Sequence, residues 1–167
     1  MDRSTAAILR HFDEHHGPLF RFAWRLTGSI ADAEDIVQEC FLALLRPGCA
    51  FDPQRNGLRT YLLGAVRNQA LKRLQQPAAS ADTPEPLTPE RECYAAELKQ
   101  VVARAIRQLP EGQREVLLLA HYEQMPLAEI AEVLQIELGA VKSRLQRARA
   151  NLRETLAAYG PNLERKP

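Results

Sequence analysis

Apolar residues recur at helical spacing along most of the chain, and alternating strand patterns are absent. Ile36, Val37, Cys40, Phe41, Leu44 and Leu45 fall three and four apart, behind Ser29 as an N-cap and Asp32 in the first turn. That spacing predicts a helix over 30–45, stopped by Pro47-Gly48. A loop over 46–57 follows, and then a helix over 58–74 with Leu58, Tyr61, Leu62, Ala65, Val66, Leu71 and Leu74 on its apolar side. Four further helical segments are predicted near 94–109, 110–122, 126–134 and 137–158. Pro110 and Pro126 suit the first positions of the second and third. Glycines fall at predicted ends and turns, Gly17, Gly28, Gly48, Gly57, Gly112, Gly139 and Gly160 among them, and Gly64 alone sits inside a helical pattern.

The periodicity lapses over 75–92, QQPAASADTPEPLTPERE, which holds four of the eleven prolines. Proline at this density favours an extended, semi-rigid segment. The chain is therefore divided into residues 1–76, a linker over 77–92, residues 93–160 and a tail over 161–167. The expectation is an all-α protein of two small helical domains joined by a flexible Pro-rich linker, each near the lower size limit for an independent core.

Composition narrows the class. The chain is 46% apolar and 26% charged, the mix of a soluble globular protein. Asp2, Arg3, Arg10, Asp13 and Glu14 leave no room for a secretory apolar core, and no run approaches the ~20 apolar residues of a membrane helix. Three widely spaced cysteines without a CxxC argue against a zinc knuckle or a disulfide framework, and point to a reducing cytoplasm. The net charge of +1 argues against a uniformly basic nucleic-acid coat. It is a sum over opposed segments: +2 for residues 1–76, −3 for 77–92 and +2 for 93–167.

The sharpest patch is near the C-terminus. LAEIAEVL, a three-residue joint Gln135-Ile136-Glu137, and LGAVKSRLQRARANLR fit a helix-turn-helix unit. At about 100° per residue, Leu138, Val141, Leu145, Ala148, Leu152 and Leu156 fall in one arc of roughly 80° that must face a core. The opposite side carries Gly139, Ala140, Ser143, Gln146, Arg147 and Ala150, flanked by Lys142, Arg144, Arg149 and Arg153. Small residues permit close approach, Ser143, Gln146 and Arg147 can reach base edges, and the flanking cations can neutralise phosphates. A solvated basic face in an ordinary bundle is the bland alternative. Five bases and no acid over 138–153 favour DNA.

A second patch is acidic. DAEDIVQECF holds Asp32, Glu34, Asp35 and Glu39, with no base over 31–45. Asp32 and Glu34 can simply complement the helix N-terminus. Asp35, Gln38 and Glu39 lie beyond that reach and fit a docking surface for a basic partner helix. Between the patches, Phe51, Arg55, Asn56, Arg59, Tyr61, Arg67 and Asn68 mix aromatic, amide and basic groups that suit single-stranded nucleic acid, or equally a loop and an amphipathic helix.

Taken in order, these motifs resemble a bacterial sigma factor of the extracytoplasmic-function (ECF) type. RLTGSIADAEDIVQECFLALLR resembles sigma regions 2.1–2.2, FDPQRNGLRTYLLGAVRNQALKRL regions 2.3–2.4, and LPEGQREVLLL with LAEIAEVLQIELGAVKSRLQRARANLRETL region 4. The resemblance implies roles. Asp32, Glu34, Asp35, Gln38 and Glu39 would bind the β′ clamp helices of core RNA polymerase. The loop with Phe51, Arg55 and Asn56 would capture a flipped −10 base. Arg59, Tyr61, Arg67 and Asn68 would hold the opened strand. Lys142, Ser143, Arg144, Gln146 and Arg147 would read the −35 element. It also implies contact with the β flap, an anti-sigma partner, a monomeric free state, no cofactor and no catalysis. Departures from the family pattern stand at Tyr61 (commonly Trp), Lys72 (often Asp), Gln75 and Gln76 (often Arg) and Ala140 (usually Thr). The competing reading is a stand-alone helix-turn-helix regulator with residues 1–76 as a sensing or dimerising domain. His11 and His15 have metal-ligand spacing, but Glu14 is misplaced for HExxH and no metal site is expected. Cys40 reads as core. Cys49, in the loop, is a candidate thiol switch.

Overall fold

The computed structural model describes residues 3–55, 57–75 and 93–158, and the regular structure among them is entirely helical. Asn56, the 77–92 linker and the 161–167 tail lie outside the described residues. The chain separates into two compact units, Met1–Thr83 and Pro84–Pro167.

The first unit packs three helices on one another: α1 (Arg3–Thr27), α2 (Ile30–Leu45) and α3 (Leu58–Gln75). Gly28 ends α1 at φ +73°, donating its N–H to the Trp24 carbonyl at 2.7 Å. Ser29 then caps α2, its Oγ accepting the Asp32 N–H at 3.2 Å. The α1–α2 corner is thus built from a left-handed glycine and a side-chain cap in adjacent positions. Leu19, Phe22, Ile36, Val37, Leu62, Leu63 and Val66 form the core. Ala23, Ala33 and Ala70 are fully buried where the helices approach. Phe12 meets Phe41 edge-on at 4.9 Å between centroids. Cys40 lies in this core, and burial pushes its thiol up to about 12, which leaves it unreactive.

The second unit contains α4 (Cys93–Gln108), α5 (Glu111–Leu117), α6 (Leu127–Leu134) and α7 (Leu138–Ala157). A π-helical turn, Leu118–Tyr122, prolongs α5, and the Glu123 N–H reaches back five residues to the Leu118 carbonyl at 3.2 Å. Ile106, Leu109, Val116, Leu118, Leu119, Ile130, Val141 and Leu145 make its core. The joint between α6 and α7 is a Schellman motif. Gln135 adopts φ 53°, the Ile136 N–H bonds the Ala131 carbonyl at 3.1 Å, and the Gln135 N–H bonds Glu132 at 3.3 Å.

Several sequence expectations shift. Gly17 is not an end, because α1 runs through both it and Pro18. Proline there removes only one ladder bond, and the packed apolar face on either side holds the helix together. Pro110 and Pro126 stand one residue before their helices, at ψ 142°, with carbonyls that accept the first helical N–H bonds. Leu45, Leu74 and Leu138, assigned to apolar faces, are 49%, 44% and 40% exposed. Each sits in the terminal turn of its helix, where no neighbouring helix extends to cover it.

Candidate nucleic-acid and partner interfaces

The acidic patch lies on the side of α2 turned away from the core. At about 100° per residue its members spread over an arc of roughly 160°. Asp32, Asp35 and Glu39 line one border, Leu42, Gln38 and Leu45 the middle and opposite side, and Glu34 the far edge. Arg73 of α3 spans the first border. Its Nη1 is 3.0 Å from Asp32 Oδ1, and its Nη2 is 3.2 Å from Glu39 Oε1 and 3.8 Å from Asp35 Oδ2. Glu34 turns to α1 instead, 3.3 Å from His16 Nε2. Sequence reasoning missed two features here. Arg73 was read only as part of a basic segment. Leu42, 54% exposed, and Leu45 were not recognised as surface, although both fall outside the arc of Ile36, Val37, Cys40 and Phe41.

The loop after α2 is held by sulfur and ring contacts. Cys49 Sγ accepts the Phe51 N–H at 3.4 Å and lies 3.7 Å from Tyr61 Oη. Phe51 and Tyr61 stack at 5.2 Å with a 50° tilt. Burial, then the Cys49 contact, push the Tyr61 phenol above its ordinary value. Asp52 Oδ1 accepts the Gln54 N–H at 2.9 Å and so turns the chain ahead of exposed Arg55.

The helix that follows divides the remaining candidates. Tyr61, Asn68 and Lys72 share its outer face. Arg59 and Arg67, both half-buried, lie on the flanks, and Arg59 is close enough to His15 of α1 to oppose its protonation. Arg67 Nη1 donates to Asn68 Oδ1 at 3.3 Å.

On α7 the structure sorts the five bases. Lys142, Gln146 and Arg147 are exposed on the outer face, with Ser143 half-buried between them. Arg144 folds over α5, so close that a Cβ on Gly112 would stand 3.0 Å from its Nη1. Arg149 turns to the π turn, with Nε and Nη2 each 3.3 Å from His121 Nε2. Asn151 Nδ2 donates to Gln113 Oε1 at 2.8 Å and fixes α7 on α5. Behind the reading face, Val102, Ile106, Leu117, Tyr122 and Leu152 line an open apolar groove of about 390 Å³. Among the described residues no helix is long and apolar enough to cross a membrane.

Known proteins share this arrangement. Sigma-70 region 2 matches residues 11–79, and Sigma-70 region 4 matches residues 99–152. The ECF RNA polymerase sigma factor SigL of Mycobacterium tuberculosis is 39% identical over 167 residues, covering 94% of this chain and 93% of its own. SigW of Bacillus subtilis, another ECF sigma factor, is 29% identical over 86% of both chains. Among solved structures, CnrH in complex with the cytosolic domain of CnrY is 28% identical with a TM-score of 0.72, over 93% of this chain and 91% of that one. The sigma factor RpoE of Bartonella quintana, in complex with the anti-sigma factor NepR, has the same fold at 23% identity, with a TM-score of 0.71 over 89% and 95%. With both sigma regions present in order, and an ECF sigma factor aligned to nearly its whole length, this chain belongs to the ECF group of sigma-70 RNA polymerase sigma factors.

Proposed function

We propose that the chain directs core RNA polymerase to promoters through three separate faces. Asp32, Glu34, Asp35, Gln38 and Glu39, with exposed Leu42 and Leu45 among them, dock the basic β′ clamp helices. Phe51, Arg55, Asn56, Arg59, Tyr61, Arg67 and Asn68 capture and hold the −10 strand. Lys142, Ser143, Arg144, Gln146 and Arg147 read the −35 duplex. Residues 1–76 and 93–160 are the two working domains. The apolar groove beside α7 is suited to the β flap, and an anti-sigma factor keeps the free, monomeric, cytoplasmic protein inactive. The chain performs no chemistry itself, since polymerase supplies the catalysis.

The observation that carries this reading is that a carboxylate-and-leucine face and a basic reading face are built on separate cores in one chain. A pull-down with bacterial core polymerase, followed by promoter-dependent transcription, tests it. Retention on core and run-off product from a −35/−10 template are expected. Tight duplex binding without polymerase, together with no retention on core, would establish a stand-alone regulator instead.

A further inference from the structure

We propose that His11, Glu14 and His15 on α1 form a binding site for a divalent transition-metal ion of the zinc class. Four-residue spacing sets His11 and His15 on one face of α1 a turn apart. Their rings lie nearly parallel, 10° apart in plane with centroids at 6.0 Å. Glu14 points between them, its Oε2 3.9 Å from His11 Nδ1 and 3.9 Å from His15 Nε2. One ligand atom from each of the three lies within 4.8 Å of the others. A zinc ion holds N and O ligands at about 2.0–2.1 Å, so a small rotation of three side chains closes the site.

The protein atoms alone do not satisfy this cluster. A separation of 3.9 Å is too long for a hydrogen bond. His11 Nδ1 is shielded from solvent and makes no hydrogen bond among the described residues. Two imidazoles and one carboxylate are a donor set for zinc, nickel or cobalt rather than for calcium or magnesium, which take oxygen. Glu14 remains largely exposed, which leaves a path for the ion and an open fourth position. This revises the expectation from sequence, where Glu14 failed the HExxH pattern. In the structure it enters as a third ligand, a role that the pattern does not test.

The position on α1 gives the ion something to do. Pro18 has no N–H, so the Glu14 carbonyl four residues back lacks its helical donor. The three side chains span the turn in which that bond is missing, and a bound ion would brace it.

Titration of the full chain with Co²⁺ and then Zn²⁺ tests the site. One ion per chain is expected, with visible cobalt ligand-field bands and no thiolate charge-transfer band. His11→Gln and His15→Gln should each lower Zn²⁺ affinity at least about tenfold, since even outer partners of metal ligands are worth about 10–100-fold. His121→Gln serves as a control and should leave affinity unchanged. Zn²⁺ should raise the thermal midpoint of the parent chain but not of the H11Q/H15Q double variant, whose metal-free fold is checked by circular dichroism. Absence of binding, a thiolate band, or full affinity in the double variant would overturn the proposal.

Discussion

The charged faces of α2 and α7 are mirror images in sign but not in construction. On α2, three carboxylates converge on one internal cation, Arg73, and a fourth on His16. On α7, the cations are dispersed. Arg144 and Arg149 fold back on α5 and the π turn, while Lys142 and Arg147 stand in solvent. A protein partner meeting the first face must compete with an internal guanidinium, which selects for a matched basic surface. DNA meeting the second face finds two exposed cations and two amphiphilic braces. Neither behaviour is visible in the near-neutral net charge.

The largest perturbation removes the ground beneath the acidic face. Ile36 is fully buried directly behind it, and Ile36→Ala should cost about 2–5 kcal/mol by lost burial and a residual cavity. Urea unfolding measures that loss, and binding to core polymerase should weaken with it. Arg147→Ala comes next. It should cost about 1–3 kcal/mol of duplex affinity and relax the preference at one base pair. Competition binding with −35 variants measures this, and an unchanged preference would remove Arg147 from the reading set. Lys142→Ala should weaken all duplexes alike and lower the salt slope by about one. A wild-type slope would show that Lys142 touches no phosphate.

Smaller effects separate the faces further. Arg73→Ala should cost no more than about 1 kcal/mol, because its partners are a third or more exposed and screened by salt. The loss should shrink as ionic strength rises, and a melting series in sodium chloride reads this directly. The same variant exposes Asp32, Asp35 and Glu39 without a competitor, so its affinity for core polymerase isolates what the internal clasp contributes. Smallest is Gln135→Gly at the α6–α7 joint. It removes a Cβ from a left-handed backbone and should stabilise by at most about 1 kcal/mol in thermal denaturation. The gain is offset in part by loss of the Gln135 Nε2 bond to the Glu132 carbonyl at 2.6 Å.

Much of this architecture was legible in the residues. The bounds of α2 and α7 followed from Ser29 and from apolar spacing that the cores obey. The α6–α7 joint followed from the break in that spacing at Gln135. What escaped was set by contacts between elements. Gly17-Pro18 looks like punctuation locally, and only packing on α2 and α3 carries α1 through it. Arg73 is 34 residues from Glu39 in sequence, and no local rule pairs them. Leu45, Leu74 and Leu138 obey the apolar pattern but lie past the edges of their partners. The outward-facing candidate sites were readable because exposure follows from facing away from a core. Which bases fold back onto α5 was not, since His121 and Gly112 become neighbours of α7 only in three dimensions.

The π turn after α5 makes one last point, about chain length. A helix that closes a ring five residues back holds one residue more than an α-helical turn uses, so Leu118–Tyr122 carries a built-in insertion. Deleting one residue there would restore α geometry but rotate everything beyond by about 100°, taking His121 away from Arg149. That single spare residue works as a phase adjuster between two helices, and its loss would misalign side chains far from the cut.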